Sequence, residues 1–461
     1  MTKQERKKET VFAVRFEFLF VVIILFTLIN CGCSSNSGGT DDSDSNGGDA
    51  DTDTDTDSDA DADTDSDTDT DTDTDSDTDS DTDSDTDADV DTDADTDADG
   101  DTDDPAVIVD GCDGQKLREI PADLNAVGPW AVGAITTTIQ GMKTEVWYPA
   151  IPGSENGKDK VLYDIRDHIP NPNKVSDEEN PIQECNCYRD LPLDTAAGPY
   201  PVVVFIHGTA GFRTTNMEQV QHWVSRGFVV AGADHPHICF KDMVSNPLGT
   251  MLANQSGDAR KVFNAIEAAE GDLAILSGHV DMELRGVMGH SAGAGAASGL
   301  GDIADVIIPY AGGSAPGKAP DSVMFIAGNK DSMGNVSGYN NSNPIKRSVL
   351  VANGGHLVGS SLCVLRDPTD PGRSLLDIIQ ENNIGGALGS MAGSLFQGCN
   401  EMANDDDGQF INEVTSIEIF NFATTGVLEE TLHCSKAATE QLAKIEEVFG
   451  EHIETYREQL Q

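Results

Sequence analysis

The apolar positions fall into short unbroken runs separated by stretches of helical spacing. Residues 201–206 read Pro-Val-Val-Val-Phe-Ile, with no polar face. A strand of that kind is covered on both sides, as in the interior of a parallel sheet. Residues 228–231, 284–288, 306–310, 322–327 and 347–351 repeat the pattern. Between them, residues 217–226 and 258–270 carry apolar side chains at a helical period. Residues 131–139 and 143–148 predict an opening hairpin, and 409–432 and 436–460 read as helices that cover the sheet. Residues 152–199 are polar and proline-rich, an insertion that carries Cys185 and Cys187. Strands alternating with helices predict an α/β chain built on a mainly parallel sheet.

The first hundred residues follow other rules. Lys3, Arg6, Lys7, Lys8 and Arg15 form a basic leader, and residues 18–29 are apolar apart from Thr27. That run is short for a membrane span and suits the core of a signal peptide. Cys31 and Cys33 stand at its end, with Leu28 before the first and Gly32 before the second. Each is a candidate for bacterial-type lipidation, so residues 1–33 read as an export signal and the chain meets a membrane only through a lipid anchor. Simple secretion and an uncleaved anchor are the alternatives.

Residues 34–104 are a linker rich in Asp-Thr, Asp-Ser and Asp-Ala pairs, with no apolar face to bury. Like charges stretch such a chain into a spacer. The whole sequence carries −53. The leader contributes +2 and residues 41–104 contribute −32, so 105–461 keeps −23. A surface that acidic excludes nucleic acid as a partner. The 105–461 segment is long enough for one large core.

Seven cysteines lie beyond the leader, at 112, 185, 187, 239, 363, 399 and 434. An exported chain is expected to pair some of them. Cys363 and Cys399 form the favoured bridge, tying a catalytic loop to the segment that returns to the sheet. Cys185 and Cys187 stand too close in sequence to favour bonding each other, so each is expected to look elsewhere or stay free. No CxxC pair exists, which speaks against a structural zinc site.

Chemistry concentrates at Gly289-His290-Ser291-Ala292-Gly293. An apolar run precedes it and small residues follow, the context of a strand, a tight turn and a helix. Ser291 at the apex is the candidate nucleophile. It needs a base, and the base needs an orienting acid. Asp331 ends the run 324–331 and His356 follows 350–355, so all three sit past strand carboxyl ends. Asp302, Asp305 and Asp321 are rivals for the acid, and His433 and His452 are weaker rivals for the base. Backbone amides of Ala292 and Thr209 are the expected oxyanion donors. His207 and His290 read as structural. Asp234, His235 and His237 share the rim, where loop packing is favoured over substrate positioning or a metal.

These residues resemble those of the α/β-hydrolase superfamily. The likeness is to platelet-activating-factor acetylhydrolases, chlorophyllases, dienelactone hydrolases and cutinase-like polyester hydrolases. It rests on Val146-Trp147-Tyr148-Pro149, on the stretch from Phe205 through Gly208 and Gly211 to Arg213, on the serine pentapeptide, on Gly328 to Asp331 and on Gly355-His356. The resemblance spans about residues 130–360 and implies an α/β-hydrolase fold. It further implies a serine ester hydrolase that acts on short-acyl or polymeric esters and needs no cofactor or metal. A non-catalytic surface binding module on the same scaffold is the alternative, and a peptidase ranks after it. The insertion 152–199 and the segment 360–410 depart from the pattern and are expected to shape the substrate pocket. The sequence leaves the oligomeric state open.

Overall fold

The computed structural model describes residues 107–460, except 319, 341–342, 344, 386–396 and 398–409. The leader, the Asp-rich linker, Cys31, Cys33 and Cys399 lie outside the described residues.

A short hairpin, β1 (Ile108–Asp110) and β2 (Lys116–Arg118), comes first. It is followed by β3 (Ala131–Ile139) and β4 (Met142–Ala150), paired antiparallel. The insertion carries a separate pair, β5 (Val161–Asp164) and β6 (Ile182–Cys185). Then come β7 (Tyr200–Ile206), α1 (Met217–Ser225), β8 (Val229–Ala233), α2 (Phe240–Ser245) and α3 (Gln255–Ala268). The middle of the domain is β9 (Val280–His290), α4 (Ala292–Ser298), β10 (Val306–Tyr310), β11 (Ser322–Gly328) and β12 (Lys346–Val351). It closes with α5 (Leu375–Glu381), α6 (Glu413–Leu432), α7 (Lys436–Leu442), α8 (Ile445–Phe449) and β13 (Ile453–Gln459).

Nine strands form one sheet in the order β13-β12-β11-β10-β9-β7-β8-β4-β3. From β8 to β12 all neighbours run parallel, and β4 joins β8 antiparallel. The alternation of side chains along β7 sorts the two layers. Val203 and Phe205 meet Met217, Val220 and Trp223 of α1 and Phe420, Val427 and Leu428 of α6. Val202, Val204 and Ile206 meet Ala259, Val262, Phe263 and Ile266 of α3 and Ala297 of α4. Both faces are covered, which is why the central strands carry no polar alternation.

The C-terminal segment departs from the expected helix. Residues 436–460 form α7 and α8 and then β13, which pairs antiparallel with β12 at the sheet edge. Only Ile453 of β13 is buried, Glu454 and Glu458 are exposed, and Arg457 lies over the Tyr339 ring at 4.4 Å. Charged residues suit an exposed edge and erase the apolar period that would announce a strand.

Two disulfides are described. Cys112 bonds Cys434 and clasps the first hairpin to the end of α6. Cys185 bonds Cys187, which corrects the expectation that they would look elsewhere. The chain bends at Asn186 as β6 ends, and the two Cα atoms come to 5.0 Å, within ordinary disulfide reach. Cys363 is disulfide-bonded, and Cys399, its expected partner, lies outside the described residues. Cys239 is a buried free thiol, pushed up to about 12 by burial.

Candidate active site

Ser291 stands between β9 and α4 at φ 53° and ψ −113°. A non-glycine residue with positive φ is strained, by about 1–3 kcal/mol, and persists where its surroundings hold it. Here the Ser291 amide donates to the Tyr310 carbonyl at 2.9 Å. The turn is so tight that a Cβ on Gly289 would lie 2.0 Å from the Gly293 carbonyl oxygen. A Cβ on Gly293 would lie 2.2 Å from that of Ile206. No side chain fits at either position, and this close passage of helix over strand lifts the Ser291 hydroxyl above the sheet edge.

His356 and Asp331 arrive from neighbouring strands, past the carboxyl ends of β12 and β11. His356 Nε2 lies 3.0 Å from Ser291 Oγ, and its Nδ1 lies 2.9 Å from Asp331 Oδ2. The structure thus brings these three predicted residues into one hydrogen-bonded line. Burial works against charge on Asp331, but the His356 hydrogen bond and charge and the amides of Met333 and Gly334 outweigh it. The carboxyl is held below the usual carboxylate range. That carboxylate fixes the His356 ring so that Nε2 faces the serine hydroxyl, the placement a general base needs.

The predicted oxyanion residues flank Ser291. Thr209 lines the same cleft. The neighbouring loop amides are engaged: Ala210 donates to Ile238, Gly211 to Gly208 and Phe212 to Thr215 Oγ1. Ala292 is the first residue of α4, where helix amides lack an internal acceptor. The cleft holds about 20 Å³, room for roughly one water molecule. Leu357 and Leu362 wall it on the histidine side. The segment after 360 therefore touches the cleft through Leu362. The insertion packs behind it, through Ile165, Ile169 and Val175 against Phe212 and Leu362.

The rivals lie elsewhere. Asp302 pairs with Arg260, and Asp305 accepts from the Arg285 amide. His433 is buried against Phe228, and Glu454 and β13 follow His452 at the far edge of the sheet. On the rim, Asp234 holds Arg213 through the backbone amide at 2.9 Å and the guanidinium at 2.6 Å. His235 is fully buried, 3.6 Å from Asp258, and His237 is exposed. Among the described residues no three His, Cys, Asp or Glu side chains gather as metal ligands.

His290 has a larger part than the sequence suggested. Its Nε2 donates to the His356 carbonyl at 3.0 Å, and its ring packs 4.4 Å from Tyr310 and 4.9 Å from His356. Burial, and then the His356 charge, push its pKa down to about 3, so the ring stays neutral. Gln397 joins the acid and base loops: its side chain accepts from Ser332 and its carbonyl accepts from the Leu357 amide. A histidine beside the nucleophile was visible in the sequence, whereas nothing in it signalled Gln397.

The sheet order, the serine turn between β9 and α4, and the acid and base loops after β11 and β12 decide the architecture. The chain has the α/β-hydrolase fold. Residues 176–239 match the family model of platelet-activating factor acetylhydrolase, isoform II. Among solved structures it is similar to a ferulic acid esterase from Streptomyces cinnamoneus. The identity is 15%, with 66% of this chain and 90% of that chain covered and a TM-score of 0.43. No curated protein matches the chain.

Proposed function

We propose that this α/β-hydrolase is an exported serine ester hydrolase. The line from Ser291 Oγ through His356 to Asp331, with spacings of 3.0 and 2.9 Å, carries the reading. Ser291 Oγ attacks the ester carbonyl while its proton passes to His356 Nε2. The amides of Thr209 and Ala292 receive the oxyanion, each worth roughly 3–4 kcal/mol of barrier. The intermediate collapses, the alcohol leaves with the proton from His356, and the acyl group stays on Ser291. Water, deprotonated by His356, then releases the carboxylic acid and restores the serine.

The small cleft favours a short acyl group. Leu248, Met251 and Leu252 follow β8 and are 66–70% exposed, an apolar surface suited to polymeric or poorly soluble esters. Ser291→Ala should lower turnover of p-nitrophenyl acetate by at least about a thousandfold with an unchanged melting temperature. It should also abolish labelling by a fluorophosphonate probe. A variant that keeps most of the wild-type rate, or a wild type that the probe never labels, leaves a binding module as the better reading.

The leader supports lipidation at Cys31 or Cys33, with the Asp-rich linker as a tether to the hydrolase domain. Cys31→Ser combined with Cys33→Ser should release the protein from the membrane fraction. Retention in that fraction means an uncleaved anchor instead.

A further inference from the structure

The insertion of residues 152–199 contributes none of the residues that line the cleft. It reaches the site at one remove. A tight turn at Ile165–His168 starts on Asp164, whose side chain accepts from the Arg166 amide at 2.8 Å. The Arg166 guanidinium and the Asn180 side-chain amide hold the same carboxylate, which pins the turn. At its end His168 is buried, and its ring lies flat on that of Phe212, with 4.0 Å between centroids and 13° between planes. Its Nδ1 accepts from the Arg213 guanidinium at 3.4 Å. Burial pushes the ring down to about 3, so it is neutral and free to accept there.

Phe212 and Arg213 continue the loop that carries Thr209. The Gly211 amide donates to the Gly208 carbonyl at 3.0 Å and closes a turn with Thr209 and Ala210 at its tip. Ala210 stands at φ 62°. A residue with a side chain keeps such a conformation, at about 1–3 kcal/mol, only where its surroundings impose it. One end of the loop is anchored in β7. The other end is gripped twice. Asp234 accepts from the Arg213 amide at 2.9 Å and from its guanidinium at 2.6 Å, and His168 backs the Phe212 ring.

We propose that His168 is a positioning residue for the oxyanion donor at Thr209, acting through the Phe212-Arg213 end of the loop. The inference rests on the ester-hydrolase reading of Ser291. His168 lies ahead of residues 176–239, which match the acetylhydrolase family model, so this support comes from outside the matched stretch. An oxyanion donor acts only within hydrogen-bond range of the forming charge, and a displacement of about 1 Å costs up to about a hundredfold in rate. Without a flat ring behind it, Phe212 has room to shift, and the turn that presents Thr209 shifts with it.

The test is the kinetics of His168→Ala, His168→Leu and His168→Phe on p-nitrophenyl acetate, together with inhibition by trifluoroacetone. Acylation and deacylation both pass through an oxyanion, so kcat of His168→Ala should fall about tenfold to a hundredfold with KM within about twofold of wild type. Trifluoroacetone reports the oxyanion without turnover. Ser291 Oγ bonds to its carbonyl carbon, the serine proton passes to His356 Nε2, and the carbonyl oxygen takes the negative charge. Its affinity should weaken by the same factor as kcat. His168→Phe keeps a flat ring against Phe212 and should recover to within about threefold of wild type. His168→Leu fills the space without a flat face; it should behave as His168→Ala and replaces it if the smaller side chain leaves the protein unfolded. A folded Ala or Leu variant with wild-type kcat, a loss that falls on KM alone, unchanged trifluoroacetone affinity, or a Phe variant no better than Ala or Leu each overturns the proposal. Failure of both Ala and Leu variants to fold overturns it too, because His168 then holds up the domain rather than the loop. A wild type without Ser291-dependent hydrolysis overturns the ester-hydrolase reading and this inference with it. Hydrolysis that depends on Ser291 but not on His168 overturns this inference alone.

Discussion

Around Ser291, hydrogen bonds run from one side chain to the next. Asp331 meets His356 at 2.9 Å, His356 meets Ser291 at 3.0 Å, and His290 holds the His356 backbone at 3.0 Å. The cavity between α1, α6 and the insertion is lined instead by polar side chains from separate elements, among them Asn125, Glu155, Glu218 and Asn421. The first region is about 20 Å³ and the second about 370 Å³. Groups that move protons must be held in place before the substrate arrives, because reorganisation during reaction adds to the barrier. The contrast therefore separates an ordered hydrogen-bonded line from an open cavity within one domain.

The comparison is tested most severely by removing the charge that orders the first region. Asp331→Asn keeps the shape but replaces the acceptor that fixes the His356 tautomer. Activity on p-nitrophenyl acetate should fall about ten-thousandfold in kcat, with little change in KM. A loss smaller than tenfold would mean that Asp331 is an ordinary buried carboxylate and that another group orients the base.

Much of the first region was legible in the chain. Unbroken apolar runs announced the central strands, and a tight small-residue turn announced Ser291, because burial on both faces and close backbone passage each leave a residue-level mark. Asp331 and His356 were readable because each ends such a run. The second region left no comparable trace. Trp130, Glu155, Gln221 and Asn421 are far apart in sequence, and each is an unremarkable residue for its own element. Only the packing of α1, α6 and the insertion brings them to one wall. β13 escaped for a related reason, since an edge strand with one buried residue has no period to detect. The Cys185–Cys187 bond depended on a bend at Asn186 that spacing alone does not reveal.

A middle-sized effect comes from histidines that the fold keeps neutral. Burial first of all pushes His168, His207, His290 and His433 down to about 3, and His222 to about 4. In the unfolded chain each titrates near 6.5. Between those values the unfolded state binds more protons, so stability is complete above about pH 6.5 and falls as the pH is lowered. Each histidine contributes up to about 1.4 kcal/mol per pH unit in that window. Urea midpoints measured from pH 7.5 to 4.5 should decline steadily, beginning well above the ordinary carboxylate range. His290→Gln, which can still donate to the His356 carbonyl, should flatten part of that slope. A midpoint constant down to pH 4.5 would show that these rings accept protons without leaving the core.

The smallest effect has the opposite sign. Asn421→Leu removes a buried acceptor that has no partner and replaces it with a side chain of similar size. At a site shaped only for stability such an acceptor has no reason to persist, and its removal should raise the unfolding free energy by about 1 kcal/mol. The midpoint in urea should move up with an unchanged m-value, and hydrolysis of p-nitrophenyl acetate should stay within twofold of wild type. Stability gained with activity kept places Asn421 outside the hydrogen-bonded line at Ser291. A variant that is less stable than wild type would instead place Asn421 among the groups that hold α6 in position, and the contrast between the two regions would narrow.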